Sequence, residues 1–67
     1  MRLDQMTGSD YRYCKANCPF SEEEEAILDA RRRGKSVVSI SMEMNLSEAT
    51  VKRRISSIKN KVARELF

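Results

Sequence analysis

The amino-acid sequence predicts an all-α fold, a small bundle of three main helices with an N-terminal arm. In one segment the inward residues recur at the i, i+3, i+4 and i+7 spacing of a one-sided helix, and in another the apolar residues recur at i, i+4, i+7 and i+11. Three serines stand where a helix N-cap is needed, and Gly34 and Asn45 are suited to end a helix in the left-handed conformation. The predicted helices cover about 21–33, 36–44 and 48–66.

The first predicted helix is marked by its charged ends. Ser21 and Glu24 have the spacing of a capping box, in which each side chain accepts from the other residue's backbone N–H. Glu22–Glu25 place negative charge at the helix N-terminus and Arg31–Arg33 place positive charge at its C-terminus, the order that the helix dipole favours. We interpret both runs as ordinary helix ends, with Gly34 as the stop.

The second and third predicted helices form a helix-turn-helix. Ser36 caps the second helix, whose inward residues are Val37, Ile40, Ser41 and Met44. Asn45 tolerates the positive φ of the turn, and Ser47 caps the third helix. The small residue Ser41 lets the two helices cross closely. The core stripe of the third helix is Val51, Ile55, Ile58 and Val62.

Residues 1–19 are predicted to form the N-terminal arm, and residues 20–67 the helix-turn-helix domain. Residues 1–18 show no clear periodicity and are interpreted as a tail or an irregular arm, and Pro19 disfavours a helical conformation at the residue before it. Cys14 and Cys18 have the spacing of a metal motif, but a structural zinc site needs four ligands and the chain has no His. We predict two reduced thiols and neither a metal nor a cofactor; a zinc site shared by two chains is the alternative.

Charge and composition limit the classes of function that this chain is expected to have. The 67-residue chain has a net charge of +3, and residues 31–67 hold ten basic against three acidic residues, a bias that points to a polyanionic partner. The absence of His, of a Gly-rich phosphate loop and of a nucleophile–base pair excludes an enzyme. No apolar run is long enough to cross a bilayer or to act as a signal peptide, so we expect a cytoplasmic protein without a membrane partner.

The third helix is the predicted DNA-binding element, because its face opposite the core is free to enter a major groove. An advance of about 100° per residue defines that face. Ala49, Arg53 and Ser56 lie on that face and Lys52 lies on one flank of it; these four residues are predicted to contact base edges. Five residues beside it or at the start of the second helix are predicted to contact phosphates: Lys35, Ser36, Thr50, Arg54 and Lys59.

A family resemblance extends over residues 20–62, FSEEEEAILDARRRGKSVVSISMEMNLSEATVKRRISSIKNKV. This stretch resembles the DNA-binding domain of LuxR/GerE-type regulators. The family's Leu-Thr opening corresponds to residues 20–21, its Gly-x-Ser to 34–36, and its Ile-Ser-x-x-Thr-Val-Lys to 46–52, without gaps. The tail TVKRRISSIKNKVARELF is also similar to region four of bacterial sigma factors. The resemblance implies a bacterial or phage transcription regulator that reads bases with Lys52, Arg53 and Ser56.

We expect double-stranded DNA as the partner and a homodimer as the binding species, because one such module alone binds weakly. The dimer surface is expected in the arm or at the far end of the third helix: Leu3, Tyr11 and Tyr13, or Val62, Leu66 and Phe67. The alternative function is a sigma-like protein-interaction module that docks on RNA polymerase or another regulator. RNA binding is less favoured, since the aromatic stacking residues it uses are missing.

Overall fold

The computed structural model describes residues 6–66, without the side chain of Leu66. It contains four α-helices: α1 (Gly8–Asn17), α2 (Glu22–Arg32), α3 (Val37–Met44) and α4 (Glu48–Leu66). The prediction of a small all-α, helix-turn-helix fold is confirmed. The bounds of α2, α3 and α4 agree with the predicted ranges to within one residue at each end, whereas the predicted count of three main helices is one too low.

The predicted helix caps are present and explain these bounds. Ser21 and Glu24 form the capping box, with the Glu24 N–H donating to Ser21 Oγ at 3.1 Å and the Ser21 N–H donating to Glu24 Oε1 at 3.0 Å. Gly34 follows α2 at φ +83°, a conformation that side chains with a Cβ rarely adopt. Ser36 Oγ accepts from the Ser39 N–H and so caps α3.

The turn between α3 and α4 has the predicted left-handed residue. Asn45 lies at φ 55° and ψ 42°, and its N–H donates to the carbonyl of Ser41. The Leu46 N–H donates to the same carbonyl at 3.0 Å, so the chain reverses within two residues. Ser47 Oγ then accepts from the Thr50 N–H at 3.1 Å and caps α4. Ser41 is half-buried and donates its hydroxyl to the Val38 carbonyl, so its polar side chain has a partner within α3.

The core is centred on α4, which packs against each of the other three helices. Its predicted stripe is confirmed, since Val51, Ile55, Ile58 and Val62 are all buried. From α2 and α3, Ile27, Leu28 and Ile40 meet this stripe. Each aliphatic side chain removed from water contributes about 1.5–3 kcal/mol, so the stripe sets which side of α4 faces inward. Val62 is fully buried and therefore cannot belong to an exposed dimer surface at the end of α4.

The prediction of an irregular arm over residues 1–18 is wrong for residues 8–17, which form α1. Thr7 caps the helix by accepting from the Asp10 N–H at 3.1 Å. Cys14 is fully buried and Cys18 is 8% exposed, and the Cys18 thiol donates to the Lys61 carbonyl of α4 at 3.7 Å. Both thiols are unbridged and belong to the core instead of an arm. α1 was missed because packing on α4, and not a repeating apolar pattern, stabilises it.

Burial keeps the two thiols protonated. Desolvation raises the pKa of Cys14 above its ordinary value and raises that of Cys18 to about 11.

The residues named for a dimer surface are only partly described by the structure. Outside the described residues lie Leu3, Phe67 and the side chain of Leu66. Tyr11 is half-buried and donates its hydroxyl to the Asp29 carboxylate, while Tyr13 remains 47% exposed.

Candidate nucleic-acid interface

The side of α4 opposite the core is solvent-exposed. We call it the outer face of α4, and it comprises the four residues predicted to contact bases: Ala49, Lys52, Arg53 and Ser56. All four are exposed. Among the described residues, none is paired with the Lys52 ammonium, the Arg53 guanidinium or the Ser56 hydroxyl by a hydrogen bond or an ion pair. The structure therefore brings the predicted base-contacting residues together on one accessible surface.

Thr50 and Arg54 lie one turn apart on the flank of α4 that faces α2. The Arg54 Nε–H donates to the carboxylate of Glu23 in the first turn of α2. This hydrogen bond and the charge of Glu23 raise the pKa of Arg54. The Thr50 hydroxyl accepts from Ser47 Oγ at 2.8 Å. Both predicted phosphate contacts on this flank thus already have intramolecular partners.

The other three predicted phosphate contacts are spread over α3 and the opposite flank of α4. Lys35, just before α3, places its Nζ 2.6 Å from a carboxylate oxygen of Glu43. The Ser36 hydroxyl oxygen is used as the cap of α3. Lys59 is exposed and has no ion pair with another described residue. Of the five, Lys59 is the side chain whose charged group has no partner among the described residues.

Comparison with known protein families matches residues 18–64 to the family described as GerE: bacterial regulatory proteins, luxR family. The match covers more than two thirds of the 67-residue chain. The chain belongs to the luxR family of bacterial regulatory proteins. It is accordingly a DNA-binding domain that acts in transcription regulation. The family is one of regulatory proteins and not of enzymes. No curated protein and no solved structure matches the chain significantly.

A buried carboxylate fixes α2 against α4 in this luxR-family domain. Glu24 is only 6% exposed. Besides the Ser21 N–H, it accepts from Ser57 Oγ at 3.0 Å and from Lys61 Nζ at 2.7 Å. Burial alone would raise the pKa of Glu24, but the hydrogen bonds from Lys61, Ser21 and Ser57 outweigh it and lower the pKa to about 2. The network holds α4 at a defined rotation and so directs its outer face away from the core.

Sequence reasoning missed the acidic partners of the basic residues. Glu23 was interpreted only as part of a capped helix start, and its partner Arg54 is 31 positions away. The i, i+3 and i+7 spacing of Arg54, Ser57 and Lys61 places all three on one flank of α4, and that spacing was the available signal. The acidic first turn of the luxR-family domain is therefore both a helix cap and a contact surface for α4.

The arginine run at the end of α2 is mostly engaged within the domain. Arg31 Nη1 donates to the Lys35 carbonyl at 2.9 Å, and the Arg32 guanidinium lies 4.2 Å from the centre of the Tyr11 ring.

Within residues 6–66, no three His, Cys, Asp or Glu side chains are grouped so that they could hold a metal ion. None of the helices in the described part of the chain has the length and apolarity needed to cross a membrane.

Proposed function

We propose that the protein is a sequence-specific DNA-binding transcription regulator that inserts α4 into the major groove as its recognition helix. The observation that carries this proposal is the outer face of α4, where two basic side chains and one hydroxyl have no partner among the described residues. A major groove admits one α-helix, and helix residues facing the groove read base edges. The buried stripe of α4 supports the proposal, because it leaves this face free.

Each residue of the outer face has a role in the proposal. Arg53 points away from the core and pairs with guanine O6 and N7, a contact that discriminates against the wrong base by about 1–3 kcal/mol. Lys52, at the edge of the outer face, reads an adjacent guanine. Ala49 is short enough to pack on a thymine methyl group, and Ser56 donates to or accepts from a base edge.

The phosphate contacts position the helix without reading sequence. Lys59 meets a phosphate directly. Lys35 and Arg54 each have a carboxylate partner, which they exchange for a phosphate or share with it. This costs little because half-exposed ion pairs contribute about 0–1 kcal/mol. Ser36 and Thr50 contribute at the N-termini of α3 and α4, where backbone N–H groups and the helix dipole attract anions.

We infer that the binding species is a homodimer on an inverted repeat, because a single module of this size buries little DNA surface. Tyr13 on α1 supports this inference, since it is a large side chain that is 47% exposed in the single chain. An inverted-repeat binding motif is the expected signature, because two-fold protein symmetry requires two-fold symmetry in the site.

A protein-interaction module that docks on RNA polymerase or another regulator is the second candidate. Val38 and Met42 favour it, because they lie one turn apart on α3 and are 50% and 74% exposed. The two candidates differ in their response to salt. Binding through several phosphate contacts weakens steeply as salt rises, whereas an apolar protein interface does not.

Selection of bound duplexes from a random DNA pool tests the proposed function. The wild type is compared with the double variant Lys52→Ala, Arg53→Ala. Arg12→Ala, Arg64→Ala is the control, since it removes the same charge from exposed positions on α1 and at the far end of α4. We expect an inverted-repeat motif for the wild type and the control and none for the double variant. A motif that survives in the double variant, or no motif at all, would refute base reading by the outer face.

A further inference from the structure

The ion pair between Glu23 and Arg54 joins the first turn of α2 to the middle of α4. The side chains are 35% and 46% exposed, respectively, so the pair lies at the surface. Within residues 6–66, only one guanidinium donor of Arg54 is engaged, because its Nε–H donates to Glu23 Oε1. A guanidinium has five N–H donors in a fixed planar fork. Four donors of Arg54, on its two Nη atoms, therefore remain for another acceptor.

The position of Arg54 on α4 decides where those four donors lie. Arg54 follows Arg53 by one residue and is therefore rotated by about 100° from the centre of the outer face of α4. Thr50, one turn earlier, lies on the same flank. A helix in a major groove has the backbones of the DNA at its flanks, where phosphates are the acceptors. A guanidinium held at this flank thus faces the acceptor that binds it best.

We propose that Glu23 is a positioning residue, which holds the Arg54 guanidinium beside the outer face of α4 so that its Nη groups bind a DNA phosphate. This inference rests on the proposed function and adds a residue that itself makes no DNA contact. Glu23 takes the Nε side of the planar fork and the phosphate takes the Nη side, so the two anions bind different edges of one cation. Without Glu23, the Arg54 side chain would have to be ordered at the moment when DNA binds, and the conformational entropy lost there would weaken binding.

The fold does not depend on Glu23. The carboxylate that anchors α2 on α4 is that of Glu24, which is buried and accepts from both Ser57 and Lys61. A half-exposed ion pair contributes little to stability by comparison. The loss of Glu23 is therefore expected to change DNA affinity without unfolding the domain, which makes the proposal testable in the full chain.

Glu22 provides a matched control. It is the neighbouring residue in the same first turn of α2, it is exposed, and it has no ion pair with another described residue. Glu22→Ala and Glu23→Ala each remove one negative charge near the DNA, so long-range electrostatics predict the same gain in affinity from both. Only Glu23→Ala also removes the partner of Arg54. Glu23→Gln keeps an acceptor oxygen for the Nε–H and is expected to restore part of the loss.

The experiment measures the affinity of each full-length variant for a short duplex that carries the motif selected by the wild type. We expect Glu23→Ala to bind about twofold to fivefold more weakly than Glu22→Ala. In an Arg54→Ala background the two variants are expected to bind equally. Arg54→Ala itself is expected to reduce the slope of log affinity against log salt by about one, the signature of one lost phosphate contact. Urea unfolding of each variant verifies that it is folded.

Two results would overturn the role of Glu23: a Glu23→Ala affinity equal to or above that of Glu22→Ala, or a difference that persists without Arg54. Either result leaves the proposed function standing if Lys52→Ala, Arg53→Ala still abolishes the motif. Failure of the wild type to select any duplex overturns the proposed function and, with it, the role of Glu23.

Discussion

Replacing Glu24 with Gln is expected to destabilise the folded protein at neutral pH. The carboxylate accepts from Lys61 Nζ at 2.7 Å and from Ser57 Oγ at 3.0 Å while it is 6% exposed. Gln keeps one acceptor oxygen but replaces the other with an NH₂ group, which cannot accept from the Ser57 hydroxyl. The Lys61 ammonium also loses its anionic partner. Removing one member of a buried, hydrogen-bonded charge pair is among the more damaging single changes.

The pKa of Glu24 sets the magnitude. It falls from an ordinary 4.5 to about 2 in the folded protein, and each pKa unit corresponds to about 1.4 kcal/mol, so the ionised carboxylate contributes about 3 kcal/mol. Because the folded-state pKa lies below the unfolded value, this contribution is complete above about pH 5. It is lost as the pH falls from 4.5 towards 2. The total free energy of unfolding of a domain of this size is only about 3–10 kcal/mol.

Urea unfolding followed by circular dichroism at a series of pH values from 7 to 2 measures this effect. The wild type is expected to exceed Glu24→Gln by about 2–3 kcal/mol at pH 7, and the difference is expected to shrink below pH 5. Glu22→Gln, in the same turn but exposed, is the control and should stay within about 0.5 kcal/mol of the wild type. Equal stabilities at pH 7, or a difference that is independent of pH, would refute the reasoning.

Substitutions at three further positions and one chemical probe test the turn, the cap and the buried thiols. Asn45→Val should cost about 1–2 kcal/mol, because φ is 55° there, whereas Asn45→Gly should be nearly neutral; thermal melts distinguish them. Ser47→Ala should cost about 1 kcal/mol by removing the cap of α4. Cys14→Ser should be less stable than Cys14→Ala, because it buries a hydroxyl in an apolar site. The thiols of Cys14 and Cys18 should react with Ellman's reagent only as fast as the chain unfolds; rapid reaction of the native protein would contradict their burial.

The helix bounds of α2, α3 and α4 were predictable because their signals are local. The partners in the capping box, the left-handed turn and the cap of α4 lie within four residues of one another in sequence. Local hydrogen bonds of this kind form with the helix and need no other part of the fold. The stripe at Val51, Ile55, Ile58 and Val62 has the helical period, so the buried side of α4 and its outer face were predictable as well.

α1 was not predictable in the same way. Thr7 and Asp10 provide a cap, but Cys14 is the one residue within α1 that is buried. A helix with so little apolar surface is marginal on its own and is stable because it docks on α4. The two cysteines were interpreted as thiols in an arm, since nothing in their spacing shows that α4 covers them.

The sequence by itself determined which residues line the outer face of α4, because helical periodicity and local caps assign every residue of that helix to a side. Only the tertiary structure decided which basic residues are already paired. Arg54 meets Glu23 and Lys61 meets Glu24 across separations of more than thirty positions. Such pairs depend on how α2 crosses α4, and that crossing is set by the packing of a shared core that no local pattern specifies.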